Sequence, residues 1–270
     1  MSYKIAVCGD SWFTDDHNYP GTSFTEILSI KNNWDMISLA RAGASNFAIC
    51  LQIDKAIEID CDAVVIATTT VDRIEIPDPL DVAGLHARFA EEENIDWNEG
   101  VYQKSNSIAN ILYKLHNDSS TKHDFFNSNW TLMSDTIGNF LLGERYKDYI
   151  DSEVLDSLKH YLTNLYDPAY KRQIDTWILS DACRRLKVAN KPFLIFVESV
   201  LDGYTSRPYK QEYKKDFGWI SDNSIVWPEE FAYHKDLTIT NEAVYHYDYK
   251  ESGTTLANFI TKRLNNLGIS

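Results

Sequence analysis

The chain has 270 residues, 44% of them hydrophobic and 13% aromatic, which is enough for one globular domain with a full core. Asp and Glu total 40 against 26 for Lys and Arg, so the formal net charge is -14. A surface of this sign repels phosphate groups, which excludes nucleic acids and anionic membranes as partners unless a local basic patch overrides the average. The most basic stretch, residues 207–215, is interleaved with tyrosines and is typical of a solvated face.

Four cysteines lie in or beside apolar stretches and form neither a CxxC pair nor a metal-ligand spacing: Cys8, Cys50, Cys61 and Cys183. This pattern predicts buried free thiols in a reducing compartment, with no metal and no cofactor. No apolar run approaches the length of a membrane span. The sequence therefore predicts a cytoplasmic protein, and it leaves the oligomeric state open.

The first apolar run, residues 3–7, is short and β-branched and is followed by Gly9-Asp10-Ser11. This pattern predicts a buried strand followed by a sharp turn into a helix. Such a turn places a serine hydroxyl at the carboxyl end of a strand, close to backbone N–H groups, where a nucleophile can lie. The alternative is a plain turn whose serine caps the next helix.

The strand, turn and helix pattern recurs along the chain. Runs that are continuously apolar are typical of parallel strands buried on both faces. We therefore predict an α/β fold, a three-layer α/β/α sandwich around a parallel, flavodoxin-like sheet whose site lies at the carboxyl ends of the strands. The predicted strands are residues 3–7, 36–40, 63–67 and 193–197, and the later helices are residues 170–186 and 254–267.

Residues 1–270 are predicted to form a single domain with a mostly helical insertion at about 77–166. Within the insertion, residues 107–115 and 152–165 have helical periodicity, and no stretch resembles a strong core strand. The insertion is either a lid over the sheet or a packing layer. Residues 202–245 are predicted to be irregular and aromatic.

Three turns and one histidine segment are expected to meet at one edge of the sheet: Gly9-Asp10-Ser11, Gly43-Ala44-Ser45-Asn46, residues 68–73 and Tyr245-His246-Tyr247-Asp248. This order resembles the SGNH, or GDSL, hydrolases, and the resemblance covers residues 3–75 and 170–267. Gly-Asp-Ser-Trp, Gly-Ala-Ser-Asn and the Thr-Thr pair before Arg73 are similar to divergent members from bacteriophages and some bacteria. A bacteriophage origin would imply a virion-associated protein.

The resemblance implies a serine ester hydrolase that forms an acyl-enzyme and acts on a small-molecule or carbohydrate ester, including carbohydrate or lipid O-deacylation. Ser11 would attack the carbonyl, and His246 would take up its proton and pass it to the leaving alcohol. The N–H groups of Ser11 and Gly43 would bind the oxyanion. The remaining implied roles are oxyanion donation by Thr69 and Thr70, in place of a family asparagine, and substrate binding by Trp12, Asn46 and Arg73.

The histidine region departs from the family pattern. Ala243 stands where the family has an aspartate three residues before the histidine. The imidazole would then be oriented by Asp248, by Glu242 or by a backbone carbonyl, as in a serine-histidine dyad or a modified triad. His234 is the substitute base.

Arg73 and the loop tryptophans each have two interpretations. Arg73 either binds an anionic or hydroxylated part of the substrate, or pairs with Asp72 or Glu75 and braces its loop. Trp12, Trp219 and Trp227 either line an acyl or sugar subsite or form a small core of their own loops.

Three functions compete. The first is the ester hydrolase, and the second is a weakly active or inactive binding or structural module with the same fold, derived from a bacteriophage. The third is a flavodoxin-like nucleotide binder, which is disfavoured because no turn carries GxGxxG or a GK[ST] phosphate loop.

Overall fold

A computed structural model describes residues 2–10, 12–14, 21–40, 44–71, 73–77, 132–136, 152–197, 215–227, 230–231 and 249–270. Its strands are β1 (Lys4–Cys8), β2 (Asp35–Ser38), β3 (Ala63–Ala67), β4 (Arg73–Pro77), β5 (Leu132–Thr136), β6 (Phe193–Phe196) and β7 (Ile225–Val226). Its helices are α1 (Phe24–Asn32), α2 (Asn46–Glu58), α3 (Ser152–Asn164), α4 (Pro168–Val188) and α5 (Tyr249–Asn266).

Five strands form one parallel sheet in the order β2-β1-β3-β6-β7. When only the five strands of this sheet are numbered along the chain, β6 becomes the fourth and β7 the fifth. The order is then 2-1-3-4-5, as in flavodoxin-like folds. The chain moves from β1 to β2 on one side and then returns to place β3 on the other side of β1. The point where the strand order reverses therefore lies between the carboxyl ends of β1 and β3.

The sheet is covered on both faces, as the alternation of side chains along β3 shows. Val65 belongs to a core that also contains Phe24 of α1 and Leu256 of α5. Its neighbour Val64 belongs to a second core, which contains residues of α2 and α4 such as Ile53. Successive side chains of a strand point to opposite faces, so α1 and α5 form one layer and α2 and α4 the other.

The helices begin where the sequence supplies caps. Ser23 accepts a hydrogen bond from the Glu26 N–H, and Glu26 reaches back to the Ser23 N–H, forming a capping box at α1. Asp167 caps α4 in front of Pro168, which occupies a first-turn position where its missing N–H costs nothing.

The predicted α/β class and the four predicted strands are confirmed, with ends that differ by one or two residues. The sheet has a fifth parallel strand, Ile225–Val226, inside a segment predicted to be irregular. Two residues are too few to produce a periodic pattern, and only pairing with β6 defines this strand.

The predicted insertion falls largely outside the described residues. Its described parts are α3, which agrees with the helix predicted at 152–165, and β5. The strand β5 pairs antiparallel with β4, from Arg73 opposite Thr136 to Pro77 opposite Leu132. The run Leu132–Thr136 is polar at its centre, which explains why no strand was predicted there. The helix predicted at residues 107–115 lies outside the described residues.

Among the helices of the described ranges, none has both the length and the apolarity needed to cross a membrane.

The four cysteines are buried free thiols, as predicted. Burial raises the pKa of the Cys183 thiol from 9.0 to about 12. Burial also raises the pKa of Cys50 well above its ordinary value, and the nearby Cys183 adds to that rise. Both thiols are thus held in the neutral, unreactive form in the folded protein.

We expect Cys50 and Cys183 of the native protein not to react at pH 8 until the protein unfolds, because burial keeps both thiols protonated and excludes the reagent. The pKa of the Cys183 thiol is higher in the folded protein than in the unfolded chain. Its contribution to the free energy of unfolding is therefore fully present at a pH below the unfolded-state pKa and is lost as the pH rises towards 12. Labelling with a thiol reagent across a urea titration measures the protection of the thiols. Rapid labelling of Cys50 or Cys183 without urea would contradict it.

Candidate active site

The carboxyl ends of β1 and β3 bring two predicted turns together. Asp10 follows β1 and Thr69 follows β3, and the two strands are neighbours in the sheet, with Cys8 opposite Ile66. Ligands of open α/β sheets bind outside the carboxyl ends of the strands, at the point where the strand order reverses. The candidate site is therefore built around the contact between Asp10 and Thr69.

Asp10 has no exposed surface, yet it carries a carboxylate. The Thr69 hydroxyl donates to Asp10 Oδ2 at 2.7 Å, and the Trp12 N–H donates to Asp10 Oδ1 at 3.0 Å. Arg73 Nη2 lies 3.4 Å from Oδ2 and supplies the compensating charge. A buried carboxylate is tolerated only with such partners, so Asp10 ties the first turn to the third.

The glycine before Asp10 is held by an amide side chain of α2. The Gly9 N–H donates to Gln52 Oε1 at 2.7 Å, and Gln52 Nε2 donates to the Gly9 carbonyl at 3.2 Å. A Cβ at Gly9 would lie 3.1 Å from Phe13 Cβ and 3.2 Å from Ala67 Cβ. Glycine thus allows the close approach of β1, β3 and the residues after the turn.

A second amide of α2 holds the third turn in the same way. The Thr69 N–H donates to Asn46 Oδ1 at 2.9 Å, and Asn46 Nδ2 donates to the Thr69 carbonyl, also at 2.9 Å. Asn46 is the first residue of α2, whose N-cap is Ser45. Both strand-end turns are therefore fixed through backbone hydrogen bonds to one helix.

Helix α4 adds a buried carboxylate to this network. Asn46 Nδ2 donates its second hydrogen to Asp175 Oδ2 at 3.0 Å, and Lys171 Nζ lies 2.6 Å from Asp175 Oδ1. The polar network thus runs from Lys171 and Asp175 through Asn46 and Thr69 to Asp10.

The amino-terminal part of α5 packs tightly against the segment that leads into α1. A Cβ at Gly253 would lie only 2.0 Å from the Thr22 carbonyl oxygen, so the glycine is required for this contact. Farther along, Leu256 shares a core with Trp12 and Phe13, which come soon after the first turn. The helix that follows the histidine segment is thereby anchored on the same side of the sheet as the chain leaving the first turn.

The structure describes only some of the predicted site residues. Ser11, Gly43, His246 and Asp248 lie outside the described residues, as do His234, Glu242 and Asp72. Their roles stay predictions.

Thr69 and Asn46 are engaged differently from the sequence-based expectation. The single hydroxyl hydrogen of Thr69 goes to Asp10 and its N–H goes to Asn46, so neither is directed at an oxyanion. Asn46, expected to contact substrate, is fully buried and uses both amide hydrogens within the protein. Both residues brace the turns. Thr70 is half-buried at the end of the third turn.

Arg73 pairs with Asp10, a partner that the sequence analysis had not considered. Its side chain is 13% exposed, and its N–H donates to the Thr70 carbonyl at the start of β4. Substrate binding by Arg73, and its pairing with Asp72 or Glu75, both stay predictions. The reversal of strand order brings Asp10, far away in the chain, within reach of its guanidinium.

The tryptophans pack within the protein. Trp12 is 2% exposed and belongs to the core beneath α5, which agrees with the interpretation that it packs inside the protein. Trp219 packs against α4, where its Nε1 donates to Ser180 Oγ and the Arg184 guanidinium lies 4.7 Å from its ring centre. Trp227 is partly buried and packs against the second core.

Two residues of the network were missed from sequence. Gln52 lies between Ile49 and Ile53 on the buried stripe of α2, and Asp175 precedes Leu179 by one helical turn on the buried stripe of α4. A polar residue at the spacing of an apolar stripe is the signal that marks both. Within the ranges that the structure describes, no three His, Cys, Asp or Glu side chains are grouped so as to hold a metal ion.

No protein-family model matches the sequence, and no curated protein matches it. Solved structures do resemble it. The psychrotrophic esterase EstA from Pseudoalteromonas sp., in a structure inhibited by monoethylphosphonate, is 9% identical over 100% of both chains, with a TM-score of 0.45. TesA is 10% identical over 98% of this chain and 99% of its own, with a TM-score of 0.47. The sheet order and helix layers described above establish the fold independently of these likenesses.

We expect Thr69→Val to lower the free energy of unfolding by about 2 kcal/mol, because a methyl group replaces a donor to a buried carboxylate. Urea unfolding followed by circular dichroism measures the change. Thr176→Val is the matched control: Thr176 is equally buried, but its hydroxyl donates to the Arg172 carbonyl of its own helix. That variant should change stability by less than about 0.5 kcal/mol. Equal losses in the two variants would show that Asp10 gains nothing from Thr69.

We expect Gly253→Ala to destabilise the protein by about 1–3 kcal/mol. Alanine is the better helix former by about 1 kcal/mol, but its Cβ would overlap the Thr22 carbonyl, and forced shifts of packed backbone cost more than that gain. Thermal unfolding measures the outcome. Thr254→Ala, at an exposed position of the same helix, is the control and should be neutral or slightly stabilising. A stabilised Gly253→Ala protein would contradict the tight contact.

Proposed function

We propose that this protein is a serine ester hydrolase of the SGNH type, with Ser11 as its nucleophile. The observation that carries the proposal is the burial of Asp10, the residue directly before Ser11, at the reversal of strand order. The hydrogen bond from Thr69 and the ion pair with Arg73 join Asp10, in the Gly-Asp-Ser turn, to the third turn. A site built from the turns at the ends of these strands requires such a connection.

In the proposed reaction, Ser11 Oγ attacks the ester carbonyl while His246 takes up its proton, and a tetrahedral oxyanion forms. The intermediate collapses to an acyl-enzyme as the imidazolium gives its proton to the departing alcohol. Water, deprotonated by the neutral imidazole, then attacks the acyl group and releases the acid. Ser11 recovers its proton from His246, so no cofactor is consumed.

The packing of α5 supports His246 as the base. His246 precedes Tyr249, the first residue of α5, by three positions, and three residues of chain span at most about 10 Å. The contact between Gly253 and Thr22 holds the start of this helix against the segment that leads into α1, and Leu256 belongs to the same core as Trp12. Asp248 is the proposed orienting carboxylate.

The oxyanion would be bound by the N–H groups of Ser11 and Gly43, with Thr70 as the third donor. Thr69 would instead position these donors, since its hydroxyl donates to Asp10 and its N–H donates to Asn46. We further propose a small-molecule or carbohydrate ester as substrate, in keeping with a chain of net charge -14 that disfavours polyanions.

Ser11→Ala should abolish hydrolysis of p-nitrophenyl acetate, and His246→Ala should lower kcat/KM by roughly 10²- to 10⁴-fold, the span of general base catalysis. The double variant should be little worse than Ser11→Ala, because the two residues act as one unit. The wild-type rate should fall in acid, since only neutral imidazole accepts the serine proton. Steady-state kinetics from pH 5 to 9 measure all three effects.

Asp248→Asn, compared with Glu242→Gln, identifies the orienting group: the larger loss of kcat marks the carboxylate that contacts His246. Turnover that persists in Ser11→Ala would refute the proposed nucleophile. A wild-type protein that hydrolyses no ester of a broad acetyl and acyl panel, and is not labelled by a fluorophosphonate, would instead be the binding module with the same fold.

A further inference from the structure

Asp175 is a buried carboxylate on α4, the helix that also buries the polar residues Arg172, Thr176 and Ser180 beside its apolar ones. It has no exposed surface and lies on the face of α4 that packs against α2, one turn before Leu179. A leucine at this position would branch at the same carbon and would avoid the cost of burying a charge. The partners of Asp175 therefore indicate what the charge contributes.

Two of those partners are Lys171 on the same helix and Asn46 at the start of α2. Lys171 is 14% exposed and compensates the charge from the edge of the core. The second contact leads toward the site, because Asn46 also forms two hydrogen bonds with the backbone of Thr69.

An ionised carboxylate only accepts hydrogen bonds, so it holds the Nδ2 side of the Asn46 amide toward α4. With Nδ2 on that side, Asn46 Oδ1 meets the Thr69 N–H and the other Nδ2 hydrogen meets the Thr69 carbonyl. The reversed amide would place a donor against the Thr69 N–H and an acceptor against its carbonyl. Asp175 thus selects the one amide orientation that binds the third turn.

We propose that Asp175 is a positioning residue for the esterase reaction, acting through Asn46 to hold the turn of residues 68–70 in its working conformation. The inference rests on the proposed function. Thr69 lies between Asn46 and Asp10, so a displaced third turn alters both the oxyanion site at Thr70 and the support of the turn that carries Ser11. A misplacement of about 1 Å at such a site can cost 10²-fold in rate.

The test compares Asp175→Leu, Asp175→Asn and the control Asp181→Asn. Asp175→Leu keeps the branching of the side chain and removes the acceptor, and Lys171, which is 14% exposed, lies near enough to the surface for its ammonium to turn to water. Asp175→Asn keeps one acceptor oxygen. Asp181 lies on the same helix, is exposed and pairs with Arg185, away from the network. The measurements are kcat and KM for p-nitrophenyl acetate, the melting temperature, and exchange of the Thr69 amide hydrogen followed by NMR.

We expect Asp175→Leu to lower kcat by roughly 10- to 100-fold with KM changed less than about twofold, since positioning acts on the transition state. Exchange of the Thr69 amide should be roughly tenfold faster or more, and the melting temperature should fall, because the buried Asn46 Nδ2 and the Lys171 ammonium each lose an acceptor. Asp175→Asn should lie between this variant and the wild type, and Asp181→Asn should match the wild type. If Asp175→Leu does not fold, Asp175→Asn and the exchange measurement decide alone.

Wild-type kcat together with wild-type exchange of the Thr69 amide in Asp175→Leu would overturn the inference. A fall in kcat that only follows a fall in melting temperature, with unchanged exchange at Thr69, would also overturn it, because that is a merely structural role. Failure of the proposed function is distinguishable: the wild type would then lack Ser11-dependent turnover. Faster Thr69 exchange in Asp175→Leu, but not in Asp181→Asn, would still support Asp175 as the residue that positions the turn.

Discussion

A carboxylate without solvent exposure lies between the carboxyl ends of two neighbouring parallel strands, and the site depends on satisfying it. Asp10 obtains its hydrogen bonds and compensating charge from Thr69, Arg73 and the backbone of Trp12. Separating the first turn from the third would leave that charge buried and unpaired, at a cost of several kcal/mol. The carboxylate therefore holds the two turns at a fixed spacing.

Helix α2 controls the backbone of the same two turns. Gln52 and Asn46, six positions apart on this helix, each bind the N–H and the carbonyl of one turn residue, Gly9 and Thr69 respectively. A side-chain amide matches a peptide group because it offers one donor and one acceptor side by side. Since both amides are carried by one rigid element, the turns keep their relative placement, and α4 extends the network outward through Asp175.

The network would affect the proposed chemistry indirectly, by positioning the turns. The groups that would touch the ester are Ser11, His246 and backbone donors, whereas the charged residues of the network are directed at one another and at the turns. Arg73 illustrates the distinction, since its guanidinium compensates Asp10. Such fixed dipoles and charges cost no reorganisation during the reaction, which is how a preorganised site lowers a barrier.

The sequence by itself determined the α/β class, four of the parallel strands, the long helices and the turns that end the strands, because apolar periodicity and glycine breaks are local properties. It also marked Asp10 and Thr69 as turn residues. The tertiary structure alone decided that Asp10 pairs with Arg73, that Trp12 belongs to the core, that β7 exists, and that Gln52, Asn46 and Asp175 act together. These are contacts between residues far apart in the chain, and they exist only once the reversal of strand order and the packing of α2 against α4 have brought the partners into reach.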